Sequence, residues 1–418
     1  MKALLEKCRE VEMSSGKNIK ITFIGDITCD SPLLEAYRND SRPDFFSGVF
    51  SQTRPLLEDS DLVVANFETV CAGSSNNYKT EFLLYNTPDD IVSAMRDAGI
   101  GFVTTANNHC LDQGVAGLKR TIDVLDKNGI AHTGTFKSPE DRKTEKQIIT
   151  LGGVRIAILS YTYGTNESNT GIVLDETNDY LVGLLRKQAD AAKQRKGLKS
   201  FLAKTLSAKQ RRMLQRVVNR AKLRMGISYF KPFTDSAAET DNPENPYLIK
   251  VKKEIEDAKK IADLVAVCPH MGGQFNTEPG TYSEFLVDYL SNCGADIIAG
   301  NHPHVVQKAT VKDGCAAAYS LGGFNLSVSA DYIVHDSLPE YSMALHVYID
   351  RESKTIEKET FSILKIIEDD CHRITVYPVD KLSAELITDK TKSDITTVYN
   401  RITQKTESLV DICKEYPL

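Results

Sequence analysis

A chain of 418 residues, 41% hydrophobic and 26% charged, is long enough to bury one large core or two ordinary ones, and its mean hydropathy of -0.28 excludes a bundle of membrane-spanning helices. No stretch approaches the roughly 20 apolar residues that cross a bilayer. The opening residues mix charges instead of building the apolar centre of a secretion signal, so a cytoplasmic, or at most membrane-peripheral, location is expected.

Short runs rich in β-branched residues recur along the chain: Ile19–Ile24, Leu62–Ala65, Phe102–Thr105, Arg155–Ser160, Asp263–Val267, Asp296–Ala299 and Ala316–Ser320. Their near-continuous apolar character suits strands covered on both faces. Between them the spacing predicts helices over Asp89–Ala98, Val115–Asn128, Lys250–Ala262 and Ser283–Cys293, the second and fourth stopped by Gly129 and Gly294. Met343–Ile349, Thr355–Leu364 and Arg373–Pro378 read as antiparallel strands, and Asp394–Cys413 as a last helix. Strands alternating with helices indicate an α/β layer architecture. The expected organisation is an extension over 1–18, a domain over 19–350 carrying a helical basic insert over 180–245, and strands and a helix over 351–418 that complete the same domain.

Nine widely spaced cysteines without a C-x-x-C argue against a disulfide framework and a zinc knuckle. Cys268, inside LVAVCPH, reads as a buried reduced thiol. The net charge of -6 hides an asymmetry: residues 183–232 hold fifteen Lys or Arg against the single acid Asp190, whereas the rest holds 36 basic and 56 acidic residues.

Open α/β sheets bind ligands beyond the carboxyl ends of their strands, and the unusual polar residues fall there. KNIKITFIGD ends in Asp26, and DLVVANFE supplies Asn66 and Glu68. FVTTANNHCLDQG supplies Asn107, Asn108, His109 and Asp112, DLVAVCPHMGG supplies His270, and ADIIAGNHPHVVQ supplies His302 and His304. A lone His or Gly-Asp after a strand is usually a satisfied hydrogen bonder, but five strand ends in succession point to one site. Carboxylate, amide oxygen and imidazole together form a ligand set for Mn²⁺, Fe²⁺ or Zn²⁺, and a pair of such ions about 4 Å apart can drive hydrolysis. Tyr163 and Asn166 follow another strand, where they either line the pocket or pack as an ordinary turn. Ser320 lacks a G-x-S-x-G elbow, and Met271-Gly272-Gly273 is not followed by G-K-[ST], so neither reads as a nucleophile or a phosphate loop.

IGD, NFE, ANNHCLDQGVAGLKRTIDVLDKNGI, HMGGQF, AGNHPHVVQ and YSLGGF occur in this order across about residues 19–325. In that order they resemble the CapA-type proteins of bacterial poly-γ-glutamate capsule synthesis, a branch of the calcineurin-like metallophosphatases. The resemblance implies a four-layer α/β/β/α sandwich. It implies one or two divalent ions on Asp26, Glu68, Asn108, His270, His302 and His304, with His109 as leaving-group acid oriented by Asp112. Asn66, Asn107, Tyr163, Asn166 and Gln274 are then expected to face the substrate. Three positions depart from the pattern: Thr28 stands where Asp-x-His would place an imidazole, Gln274 replaces a glutamate, and Gly323 replaces an asparagine.

The implied function is a metal-dependent hydrolase-like role in making or processing an anionic capsular polymer, through a phosphoester or amide bond. The rival is a non-catalytic accessory subunit on the same scaffold that binds polymer or synthase. Within the insert, Met213, Leu214, Val217, Val218, Ala221 and Met225 recur at helical spacing opposite Arg211, Arg212, Arg216, Arg220 and Lys222. Such a helix docks as a lid, or contacts an anionic polymer, a membrane surface or a synthase. Nucleic acid is not an expected partner, because no aromatics interleave the charges and the body is acidic.

Overall fold

Apolar runs without alternation need cover on both faces, and the chain supplies it with two sheets stacked between helical layers. The computed structural model describes residues 18–40, 42, 44–78, 84–143, 147–188, 214, 217–218, 221, 225 and 243–418. In chain order, β1 (Asn18–Ile27), β2 (Leu62–Phe67), β3 (Phe102–Thr104) and β4 (Ala131–Thr133) run parallel as half of a first sheet. The second sheet holds β5 (Ile148–Leu151), β6 (Val154–Thr162), β7 (Leu264–His270), β8 (Ile297–Ala299), β9 (Ala309–Lys312) and β10 (Cys315–Ala318), ordered β5-β6-β7-β8-β10-β9. Its inner strands are parallel, and both edge strands are antiparallel to their neighbours. The chain then returns to the first sheet, where β11 (Tyr341–Asp350), β12 (Ile356–Glu368) and β13 (Ile374–Pro378) add antiparallel beside β1, and β14 (Tyr416–Pro417) pairs with β12.

Alternate residues of each strand enter different cores. Ile19, Ile21 and Phe23 of β1 meet Ile156, Ile158 and Ala266 between the sheets. On the outer face of the first sheet, Val63, Ala65 and Phe67 pack under α1 (Ser31–Asn39) and α2 (Asp90–Asp97), with Val124 and Leu125 of α3 (Gly114–Lys127). On the outer face of the second sheet, Leu159, Val265, Val267 and Ile298 pack under α4 (Pro246–Ile261) and α5 (Thr281–Asn292). The result is the expected four-layer α/β/β/α sandwich. α4 buries Leu248, Val251, Ile255 and Ala258 at helical spacing, and its start is capped by Asn245, whose side chain accepts from the Tyr247 N–H.

The last helix differs from the sequence reading. α6 spans Asp389–Thr403, begins under a Thr388 cap that accepts from the Thr391 N–H, and stops at Gln404, which adopts φ 57°. Ile395, Val398 and Ile402 then plug the inter-sheet core, and Tyr416 stacks on Phe361 of β12. The expected helix over residues 404–413 is lost because that stretch serves as the return that lets β14 pair. Short strands β4, β5, β9 and β14 carried too few residues to register as periodic runs. The helical stripe expected over residues 207–225 lies outside the described residues except at Leu214, Val217, Val218, Ala221 and Met225, all exposed.

The two sheets are tied together where β1 ends. Asp26 donates its N–H to the Gly322 carbonyl (3.0 Å), and its own carbonyl accepts from Phe324 (2.8 Å). A Cβ on Gly25 would stand 1.9 Å from the Gly322 oxygen, so any side chain there forces the crossing apart. Gly25→Ala is therefore expected to cost about 2–3 kcal/mol of stability, at the upper end of overpacking penalties. Urea denaturation checks this, and a change under about 0.5 kcal/mol would show the crossing to be soft.

Candidate metal centre

The carboxyl ends of the inner parallel strands of both sheets open at one edge of the sandwich. Asp26 is the penultimate residue of β1, Glu68 follows β2, Asn108 and His109 follow β3, His270 ends β7, and His302 and His304 follow β8. All seven are buried, with Asp26 and Glu68 wholly inaccessible. Two groups of ligand atoms converge, Asp26–Glu68–His304 and Glu68–His270–His302, and in each group the atoms lie within 4.8 Å of one another. Glu68 belongs to both.

Distances show how tightly the second group closes. His270 Nε2 lies 2.7 Å from Asn108 Oδ1, 3.1 Å from His302 Nδ1 and 3.4 Å from Glu68 Oε1. In the first group, His304 Nδ1 is 3.1 Å from Asp26 Oδ2 and 3.7 Å from Glu68 Oε2. Among the described residues neither Glu68 oxygen makes a hydrogen bond of ordinary geometry, although both are buried. Its charge is met only by the imidazoles of His270, His304 and His109 at 3.4, 3.7 and 3.9 Å, so a cation between them would complete its compensation. The donor set of two carboxylates, one amide oxygen and three imidazoles fits divalent ions such as Mn²⁺, Fe²⁺ or Zn²⁺.

The electrostatics agree. Burial opposes ionisation of Glu68, but the imidazoles of His304 and His270 outweigh it and hold its carboxyl well below the usual range. Burial, reinforced by the Glu68 charge, pushes Asp26 up despite its bond to His304. Burial likewise disfavours a charged His304, yet Glu68 and Asp26 prevail and its pKa is pushed up to about 9. Burial and the neighbouring His270 keep His302 well below the usual imidazole range, leaving it a lone pair to give. The proton on His304 thus balances two carboxylates, the charge task that a bound cation performs.

His302 and His304 are held in the left-handed half of backbone space, at φ 102° and 59°. Such conformations cost of order 1–3 kcal/mol and persist only where neighbours fix them. Here the His302 N–H donates to Asp26 Oδ2 (3.2 Å), and the Pro303 carbonyl accepts from the Phe275 N–H (2.7 Å).

His109 stands beside both groups. Its Nε2 is 3.9 Å from Glu68 Oε1, and its Nδ1 lies 2.6 Å from Asp112 Oδ2. Burial works against a charged His109, but Asp112 outweighs it and raises its pKa, so the ring keeps a proton facing the centre. Burial raises Asp112, against the pull of His109. The proton of the pair sits on His109, because Asp112 Oδ2 also accepts the Tyr85 N–H (2.7 Å), a bond that favours its charged form.

Asn66 and Asn107, expected to face substrate, are tied in behind the ligands. Asn66 Nδ2 donates to Asp26 Oδ1 (2.7 Å) and lies 3.2 Å from His270 Nδ1, and its carbonyl accepts from Thr104 (3.2 Å). Asn107 donates to the Phe67 carbonyl (2.8 Å) and accepts the His109 N–H (3.1 Å). Their amides are spent on orienting ligands, because β2 and β3 turn them toward the adjoining strands. The other three are half-buried beside the cluster: Gln274 Nε2 sits 3.4 Å from His304 Nε2, Asn166 accepts from Asn108 (3.5 Å), and the Tyr163 ring lies 4.7 Å from that of His302.

Two of the departures, Thr28 and Gly323, are held through their backbones, and the Thr28 hydroxyl is buried without a hydrogen-bond partner among the described residues. Asn325 brackets Thr28, accepting its N–H and donating to its carbonyl (both 2.9 Å), while Gly323 bridges Asp26 through the backbone. Tyr85, missed in the sequence, lies with its ring 4.3 Å from His109. No sequence signal marks it, since it sits in an irregular segment and reaches His109 only through the fold. The described cysteines are all free, and no described helix is long and apolar enough to cross a membrane.

Comparison with known proteins adds the lineage. The PGA biosynthesis protein CapA of Bacillus subtilis is 25% identical over 75% of this chain, and the capsule biosynthesis protein CapA of Bacillus anthracis is 26% identical over 76%. The chain spans under two thirds of these relatives, 65% and 62% of their lengths. A solved structure described as a novel phosphatase of Mycoplasma pneumoniae aligns over 83% of this chain and 93% of its own, with 12% identity and a TM-score of 0.40, too distant to argue from. The profile of the bacterial capsule synthesis protein family PGA_cap matches residues 20–327, nearly three quarters of the sequence and every residue of the centre. This chain belongs to the bacterial capsule synthesis protein family, PGA_cap.

Proposed function

We propose that the chain is a metal-dependent hydrolase of the metallophosphatase type, working in the synthesis or processing of an anionic capsular polymer. The observation that carries this reading is Glu68, whose two buried oxygens each face their own ligand set. Asp26, Glu68 and His304 would hold one divalent ion, and Glu68, Asn108, His270 and His302 a second. Bound there, the ions would supply positive charge to the attacking and leaving oxygens. His109, kept protonated by Asp112, donates to the departing group, while Asn66 and Asn107 fix the ligands that surround it. A phosphoester or an amide bond suits this arrangement, and the basic segment 183–232 supplies the contact with polymer.

Metal analysis tests the proposal. Protein purified without chelator and dialysed against Mn²⁺ or Zn²⁺ is expected to hold between one and two ions per chain. Less than about a tenth of an ion, with no gain on adding either metal, would reject it and favour the accessory-subunit reading that the missing imidazole at Thr28 suggests.

A further inference from the structure

Beside the centre an arginine is anchored by backbone and ring contacts. Leu184 bridges Thr162 at the end of β6, the Leu185 N–H donates to the Thr162 carbonyl (2.9 Å), and Gln188 donates to Thr165 while accepting from the Leu174 N–H (2.6 Å). This lacing fixes Arg186. Its Nε donates to the Tyr163 carbonyl (2.9 Å), and its guanidinium carbon lies 5.3 Å from the centroid of the Tyr163 ring. The same ring is 4.7 Å from His302 and runs parallel, within 7°, to the ring of His270.

Arg186 is half-buried, and among the described residues no carboxylate pairs with it. Arg120 and Arg142, by contrast, are spent on Asp89 and Glu254. A guanidinium that gives one N–H to a carbonyl keeps the rest of its donor fork for a planar anion. Its place is informative too. The guanidinium lies within about 10 Å of the His302 ring, the sum of the two separations through Tyr163.

We propose that Arg186 binds an anionic group of the substrate next to the one that reacts, a carboxylate or phosphate on the neighbouring unit. This position rests on the hydrolase reading of the centre; the anion recognition does not. Arg186 would then select an extended polyanion over a small monoester, and it acts by positioning.

The test uses the full chain with Mn²⁺ and titration calorimetry of orthophosphate, tripolyphosphate and tri-γ-glutamate against wild type, Arg186→Ala and Arg186→Lys. Expected is a loss of roughly ten- to fiftyfold in affinity for one of the two oligoanions in Arg186→Ala. Orthophosphate affinity and metal content should stay within about twofold of wild type, and Arg186→Lys should recover part of the loss. A fall confined to tripolyphosphate makes the group a phosphate, and a fall confined to tri-γ-glutamate makes it a carboxylate. Unchanged affinity for both, no oligoanion binding by wild type, or a parallel fall in orthophosphate or metal content overturns the proposal, the last by reducing Arg186 to a prop for Tyr163. Repeating the titrations in chelator separates the two claims: a chain that takes no metal yet loses oligoanion affinity in Arg186→Ala keeps the Arg186 assignment and removes the hydrolase reading.

Discussion

Replacing Glu68 by glutamine is expected to empty the centre altogether, from one or two ions per chain to below about 0.2, and not to halve its content. The reason is topological. Glu68 follows β2 at the seam between the sheets, and its two oxygens serve different ligand groups. Glutamine keeps the shape and loses the charge that both groups share. At a hundredfold excess of metal over Kd, bound metal stabilises the fold by about 2.7 kcal/mol. Wild type should therefore melt several degrees higher in Mn²⁺ than in chelator, and Glu68→Gln should melt alike in both. Elemental analysis beside paired thermal melts reads the two effects together. A variant that keeps half the metal would mean that the groups are independent.

His109→Asn is expected to lower turnover by about 10²- to 10⁴-fold, the usual contribution of a positioned proton donor, with metal content unchanged. His109 lies outside both ligand groups, its Nε2 3.9 Å from Glu68 Oε1, while Asp112 holds the opposite nitrogen. Asparagine removes the titrating proton at Nε2 and keeps an amide where Nδ1 meets Asp112. The assay needs a chromogenic phosphoester and a γ-glutamyl amide, since the geometry suits either bond. Turnover that survives the change would remove His109 from the chemistry, and a chain with bound metal but no turnover in wild type would be an accessory subunit.

The layers were legible because strands covered on both faces are largely apolar, and β1, β2, β6, β7 and β8 all show near-continuous apolar runs. The ligands were legible for a related reason. A carboxylate or imidazole after one such run is ordinary, but polar residues of this kind after five runs in succession singled out Asp26, Glu68, His270, His302 and His304 as candidates. Residue type alone could not separate Asn108 from Asn66 and Asn107. All three are buried amides at strand ends, and their partners come from β1, β2 and β7. Tyr85 and Arg186 escaped because each reaches the centre only through residues that the fold, not the local sequence, brings beside it. The end of α6 was misplaced because the return from Gln404 to β14 is dictated by pairing with β12, a partner roughly 50 residues earlier.

The most direct measurement is anomalous diffraction at the manganese edge from a crystal soaked in Mn²⁺. The account predicts two peaks, both within coordination distance of Glu68, one shared with Asp26 and His304 and the other with His270 and His302. An absence of peaks at Glu68, or manganese held only elsewhere on the chain, would contradict it.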